Sequence, residues 1–69
     1  MKTSARNQFS GTIKALTKGP VSTEVTIEVV SGMRIVATIS TVSAETLGLA
    51  VGKQAYALIK ASSVVVAID

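Results

Sequence analysis

Along most of this chain apolar and polar residues alternate, and alternation with period two is the mark of a half-buried β-strand. From Thr23 to Val30, the residues Thr23, Val25, Ile27 and Val29 share one face, and Glu24, Thr26 and Glu28 share the other. Ser31-Gly32 supplies turn chemistry, and Met33 to Ser40 alternates again through Ile35, Ala37 and Ile39. Two such runs joined by a glycine-containing turn predict a hairpin. Upstream, Gln8 to Leu16 predicts an earlier strand carrying Phe9 and Ile13, with Gly11 as a bulge or a close backbone approach. Lys18-Gly19-Pro20 ends that strand. Downstream, Gln54 to Lys60 and Ser63 to Ile68 predict two more strands, separated by Ala61-Ser62.

The exception lies between the third and fourth strands, at Val42 to Leu49. Here Ser43 is expected to cap a short helix, with Glu45 near the positive end of its dipole. Val42 and Leu47 take the positions of a hydrophobic staple, and Gly48 suits a left-handed residue past the helix end. Five strands with one short helix after the third predict an all-β, five-stranded OB-like Greek-key barrel.

Composition adds a requirement for partners. The 69 residues allow a single domain, 1–69, yet 48% of them are hydrophobic. A domain this small has a thin core, so part of the apolar surface is expected to be buried against other copies of the chain. A bilayer is not expected to cover it. The longest strongly apolar stretch, Ala61 to Ile68, is far short of the roughly 18–20 residues of a spanning helix. The charged N-terminus is followed by no apolar stretch of a signal peptide. The expectation is a soluble, cytoplasmic protein with no membrane partner. Seven Lys and Arg against four Asp and Glu give a formal charge of +3, which favours an anionic partner without naming one.

Catalysis finds few instruments in these residues. Histidine and cysteine are both absent, which removes the commonest general base, the thiol nucleophile and most transition-metal ligands. Glu24 and Glu28 share a strand face, but four residues of strand separate them by about 13 Å, too far for a glycosidase pair. Enzymatic activity is therefore not expected, nor is a metal held by direct side-chain ligation. Nucleic acid is the alternative partner for a basic OB-like barrel, but such proteins stack bases on aromatic rings along a charged groove. The only aromatics are Phe9 and Tyr56, and neither lies in a basic run. A purely structural assembly protein is a third reading.

Two segments combine hydroxyls with a cation: Thr3-Ser4-Ala5-Arg6-Asn7 before the first strand, and Lys60-Ala61-Ser62-Ser63 at the break after the fourth. Positive charge, hydroxyls and backbone N–H groups leaving a ladder form a donor set suited to a small oxyanion. A polar arm and a polar turn have the same composition, so these residues alone reach only a candidate anion site.

The same segments carry a resemblance. Ser4-Ala5-Arg6-Asn7-Gln8 with Gly11-Thr12-Ile13 resembles the opening of the molbindins, small molybdate-binding proteins whose domain recurs in molybdate-responsive regulators and some transport ATPases. The resemblance continues through Ile39 to Ser43, Leu47 to Lys53 and Ile59 to Val64, in order and over essentially the whole chain. It implies an OB-like barrel, dimers whose protomers exchange N-terminal strands, and a homo-hexamer built as a trimer of dimers. It implies molybdate or tungstate as ligand, bound at subunit interfaces for molybdenum storage or homeostasis, with no cofactor. By position, the resemblance assigns Ser4, the Ala5 backbone, Arg6, Ser40, Ser43, Lys60, Ala61 and Ser62 to the main site, and Asn7 to backbone or interface hydrogen bonding. The length resembles that of a single free-standing molbindin, and that is the expectation.

Overall fold

The computed structural model describes residues 1–69. Four strands, β1 (Asn7–Lys18), β2 (Ser22–Val30), β3 (Met33–Ser40) and β4 (Gln54–Ile59), form one antiparallel sheet in the order β3-β2-β1-β4. A six-residue helix, α1 (Thr41–Thr46), follows β3, and a single 3-10 turn (Ala61–Ser63) follows β4.

The sheet curls because β1 divides its pairing. Its first half, Asn7 to Thr12, pairs with β4, and its second half, Thr12 to Lys18, pairs with β2. The register with β2 slips between Ile13 and Ala15, and a bulge of this kind bends a strand and raises its twist. Gly11 sits where β1 lies tight against β2. A Cβ there would lie 2.5 Å from the Glu28 carbonyl oxygen and 2.6 Å from Ile27 Cγ2. The expected close approach is thus at Gly11, while the bulge falls at Lys14.

The inward stripe expected of the hairpin is the core. Ile13, Val25, Ile27 and Ala57 are its buried centre, with Phe9, Leu16, Ile35, Ile39 and Leu49 packed around them. The turn after α1 docks onto this centre through backbone bonds: the Ile13 N–H donates to Lys53 O at 2.9 Å, and the Gly52 N–H donates to Ile13 O at 2.8 Å. Gly52 has φ +92°, which an L side chain rarely adopts, and this conformation launches β4 alongside β1.

Three expectations are corrected. Ser63 to Ile68 forms no fifth strand, because both sides of β1 and β2 are already paired and no edge of the chain's own sheet takes it up. Its Val65, Val66 and Ile68 are 91%, 86% and 94% exposed, and the barrel is left open as a half-barrel between β3 and β4. Second, α1 is capped by Ser40 and not by Ser43: Ser40 Oγ accepts from the Ser43 N–H at 3.0 Å. The alternating strand runs unbroken to Ser40, so the helix starts three residues earlier than its apolar positions suggest. Glu45 consequently falls in the last turn and pairs with Lys18 at 2.8 Å. Third, Val42 and Leu47 are exposed and staple nothing. Gly48, with φ +64°, does occupy the left-handed position past the helix end.

Candidate functional site

Antiparallel register places the two polar segments side by side. Asn7 stands opposite Ile59, so the residues just before β1 meet those just after β4. Asn7 Nδ2 fixes the junction by donating to the Ile59 carbonyl oxygen at 3.1 Å. Past it lies an open cleft of about 560 Å³, lined by Thr3, Ser4, Ala5 and Arg6 on one side and Leu58, Lys60, Ala61 and Ser62 on the other.

Its electrostatics are one-sided. Lys14 and Arg34 are near Glu28, Lys18 pairs with Glu45, and Lys53 donates to the Gly48 carbonyl. Arg6 and Lys60 have no such partner, and no carboxylate lines the cleft. Two uncompensated cations lining one cleft leave it receptive to an anion.

Backbone donors add orientation. The 3-10 turn closes with the Ser63 N–H on Lys60 O at 2.8 Å, and the N–H groups of Ala61 and Ser62 have no backbone partner. The Ala5 N–H, by contrast, is held by Thr3 Oγ1 at 3.1 Å. That bond leaves the Thr3 hydroxyl hydrogen free to donate. Thr3 and Leu58 therefore line the cleft without having been assigned to the site from sequence. Thr3 belongs to the hydroxyl-rich arm and was legible there; Leu58 was legible as an outward position in the alternation of β4.

Ser40 and Ser43 lie elsewhere. Ser40 pairs with Ser22 in the β2–β3 register, at the end of the sheet where β1 finishes at Lys18. The twelve residues of β1 separate them from the cleft of the same chain. They form their own hydroxyl pair, Ser40 Oγ donating to Ser43 Oγ at 2.8 Å. Of the residues assigned from sequence, six converge in one chain and these two stand apart.

No three His, Cys, Asp or Glu side chains converge on a point, and no helix is long and apolar enough to cross a membrane. Phe9 packs on the core and Tyr56 is the single exposed aromatic, so there is no ladder of rings on which bases could stack.

Fold and cleft together define a small OB-like half-barrel with a cationic, hydroxyl-lined pocket at one end of its sheet. The chain belongs to the TOBE domain family, which residues 3–66 match. It is 52% identical over all 69 of its residues to the molybdenum transport protein ModE of Herbaspirillum seropedicae, and spans only 26% of that longer protein. It is 42% identical, end to end in both chains, to a probable molybdenum-pterin-binding protein of Haemophilus influenzae. Among solved structures, a molybdate-binding protein from Sporomusa ovata superposes with a TM-score of 0.91 at 34% identity, covering 99% of this chain and all of that one. The cytoplasmic molybdate-binding protein ModG, with molybdate bound, gives a TM-score of 0.83 at 46% identity over 88% of this chain and 43% of its own.

Proposed function

We propose that this protein binds molybdate, and tungstate on similar terms, as a cytoplasmic oligomer serving molybdenum storage or homeostasis. The observation that carries the reading is the cleft in which Arg6 and Lys60, both without a counter-charge, meet hydroxyl and free amide donors. The molybdenum- and molybdate-binding roles of its relatives support it.

The mechanism is one of charge neutralisation and oriented hydrogen bonding, with no bond made or broken. Molybdate is a tetrahedral dianion. At about 4 Å from one cation, with an effective dielectric near 20, it gains on the order of 8 kcal/mol before desolvation. Desolvation removes most of that, so donors fixed in direction decide the net affinity. The hydroxyls of Thr3, Ser4 and Ser62 and the amides of Ala61 and Ser62 supply them from two sides.

Selectivity follows from what the cleft lacks. With no carboxylate in its lining, the cleft meets the proton of hydrogen phosphate only with neutral acceptors, hydroxyls that would have to turn from donating to the anion. An O–H left unpaired costs about 1–3 kcal/mol. Tungstate, with nearly the same size and charge, meets no such penalty.

The cleft is open, and closing it falls to a second copy. In this reading the Ser40–Ser43 pair of one protomer completes the cleft of another at a subunit interface, within a hexamer built as a trimer of dimers. Only seven residues of the chain are buried, and between β3 and β4 an open trough of about 720 Å³ is lined by apolar side chains except for Gln54. An apolar surface of that extent calls for a cover. Exchange of N-terminal strands within each dimer would keep the pairs that β1 makes with β2 and β4 and form them between protomers. The segment with a strand's sequence and no partner is Val64–Ile68, and that segment of a second copy is the natural cover for the trough. Native mass spectrometry with added molybdate tests the reading: it requires a hexamer carrying a fixed number of anions. Graded, unsaturable uptake, or a monomer unaffected by molybdate, overturns it.

A further inference from the structure

Two threonines interrupt the apolar interior where valine would fill the same space. Thr23 lies on the inward stripe with Val25 and Ile27 and is 2% exposed, and Thr41, the first residue of α1, is 6% exposed. Their hydroxyls are 2.8 Å apart, and Thr41 Oγ1 is 2.7 Å from the carbonyl oxygen of Gly19. A carbonyl can only accept, so the one hydroxyl hydrogen of Thr41 goes to Gly19. Thr41 must then accept from Thr23. The direction of each bond is fixed, Thr23 to Thr41 to Gly19. The backbone adds a parallel tie, with the Thr41 N–H donating to Val21 O at 2.8 Å.

The tie holds a place the proposed binding depends on. Thr41 sits between Ser40 and Ser43, where the chain passes from the extended backbone of Ser40, φ −67° and ψ 145°, into α1. Anchoring Thr41 to the β1–β2 turn sets where those two hydroxyls stand relative to the sheet. We propose that Thr41 is a positioning residue, whose buried hydroxyl, through Gly19, holds the Ser40–Ser43 pair in the geometry that receives the oxyanion. The inference rests on the assignment of Ser40 and Ser43 to the site. Donors aimed at a ligand serve only if neighbouring bonds hold them within a fraction of an ångström.

The experiment is molybdate titration calorimetry on Thr41→Val, Thr41→Ser, Thr23→Val and Ser43→Ala, each with a melting curve and a native mass spectrum. Thr41→Val removes the bond to Gly19 and is expected to weaken molybdate about 10-fold, the equivalent of one well-placed hydrogen bond, in an intact oligomer well below its melting point. Thr41→Ser, which keeps the hydroxyl, restores binding to within about twofold. Thr23→Val lowers the melting temperature but leaves the bond from Thr41 to Gly19, so its affinity stays within about twofold of the parent. If Thr41→Val does not fold, Thr41→Ala reads the same loss with less crowding. Affinity that falls in step with melting temperature across the Thr23 and Thr41 variants, or that is unchanged in the Thr41 variants, overturns the positioning role. Unchanged affinity in Ser43→Ala instead removes the assignment on which it rests.

Discussion

Asn7 faces Ile59 across β1 and β4, and its side-chain amide donates to the Ile59 carbonyl oxygen at 3.1 Å. The contact lies one residue from both Arg6 and Lys60, so it controls how closely the two cation-bearing ends approach. Replacing Asn7 with Ala loses a part-buried hydrogen bond of about 1 kcal/mol and is expected to weaken molybdate roughly fivefold, with the oligomer intact. Calorimetry checks it, and an unchanged affinity would mean the cleft is held by the ladder alone.

Gly11 makes a prediction about the fold. A methyl group there would meet the Glu28 carbonyl oxygen at 2.5 Å, a backbone atom that cannot swing aside. Gly11→Ala should destabilise the protein by about 1–3 kcal/mol, by forcing β1 and β2 apart. Gly32→Ala, at φ +82° but with nothing within 4 Å, should cost only about 1 kcal/mol of backbone strain. Denaturant titration at fixed protein concentration ranks them, and the reverse order would contradict the curled packing of β1.

The C-terminal segment makes another. If Val64–Ile68 of one copy covers the apolar trough of another, a charge placed in it must be buried or the interface must open. Val66→Asp with Ile68→Asp should therefore break the assembly down to smaller species in light scattering. An unaltered hexamer would show that something other than this segment fills the gap between β3 and β4.

How far the sequence carries the structure can be seen residue by residue. Period-two alternation located β2, β3 and their turn because each strand buries one face, and Gly48 and Gly11 were legible because only glycine suits a left-handed or crowded backbone. The start of α1 was misplaced. Ser40 and Ser43 are both able to cap, and the choice depends on where β3 stops pairing with β2, a tertiary fact. Ser63 to Ile68 alternates too little to have a buried face of its own. Its apolar run gave β-propensity without the partner edge that a strand needs. The union of Arg6 with Lys60 was legible only as two similar segments; the register of Asn7 with Ile59 is what joins them. That Ser40 and Ser43 lie at the far end of β1 could not be read without the topology.

Selectivity gives a prediction in solution. Because the cleft has no carboxylate, phosphate at neutral pH should bind roughly 10- to 100-fold more weakly than molybdate in competition calorimetry, while tungstate should compete nearly equally. Phosphate competing as well as molybdate would mean that a hydroxyl of the cleft accepts its proton at no cost, which would overturn this basis of selectivity.

The central claim is that binding depends on one cleft and not on the diffuse charge of a basic protein. Molybdate affinity measured by calorimetry for Arg6→Ala, Lys60→Ala, Lys18→Ala and Lys53→Ala tests it most directly. Arg6 and Lys60 line the cleft without a counter-charge, whereas Lys18 is paired with Glu45 at 2.8 Å and Lys53 is bonded to Gly48 O at 2.9 Å. Losing either cleft cation removes a charged hydrogen bond and should weaken molybdate about 10- to 100-fold. Neither Lys18→Ala nor Lys53→Ala should change the affinity by more than about twofold. Equal losses across all four variants would contradict the account, since they would mean that net charge attracts the anion and no pocket holds it.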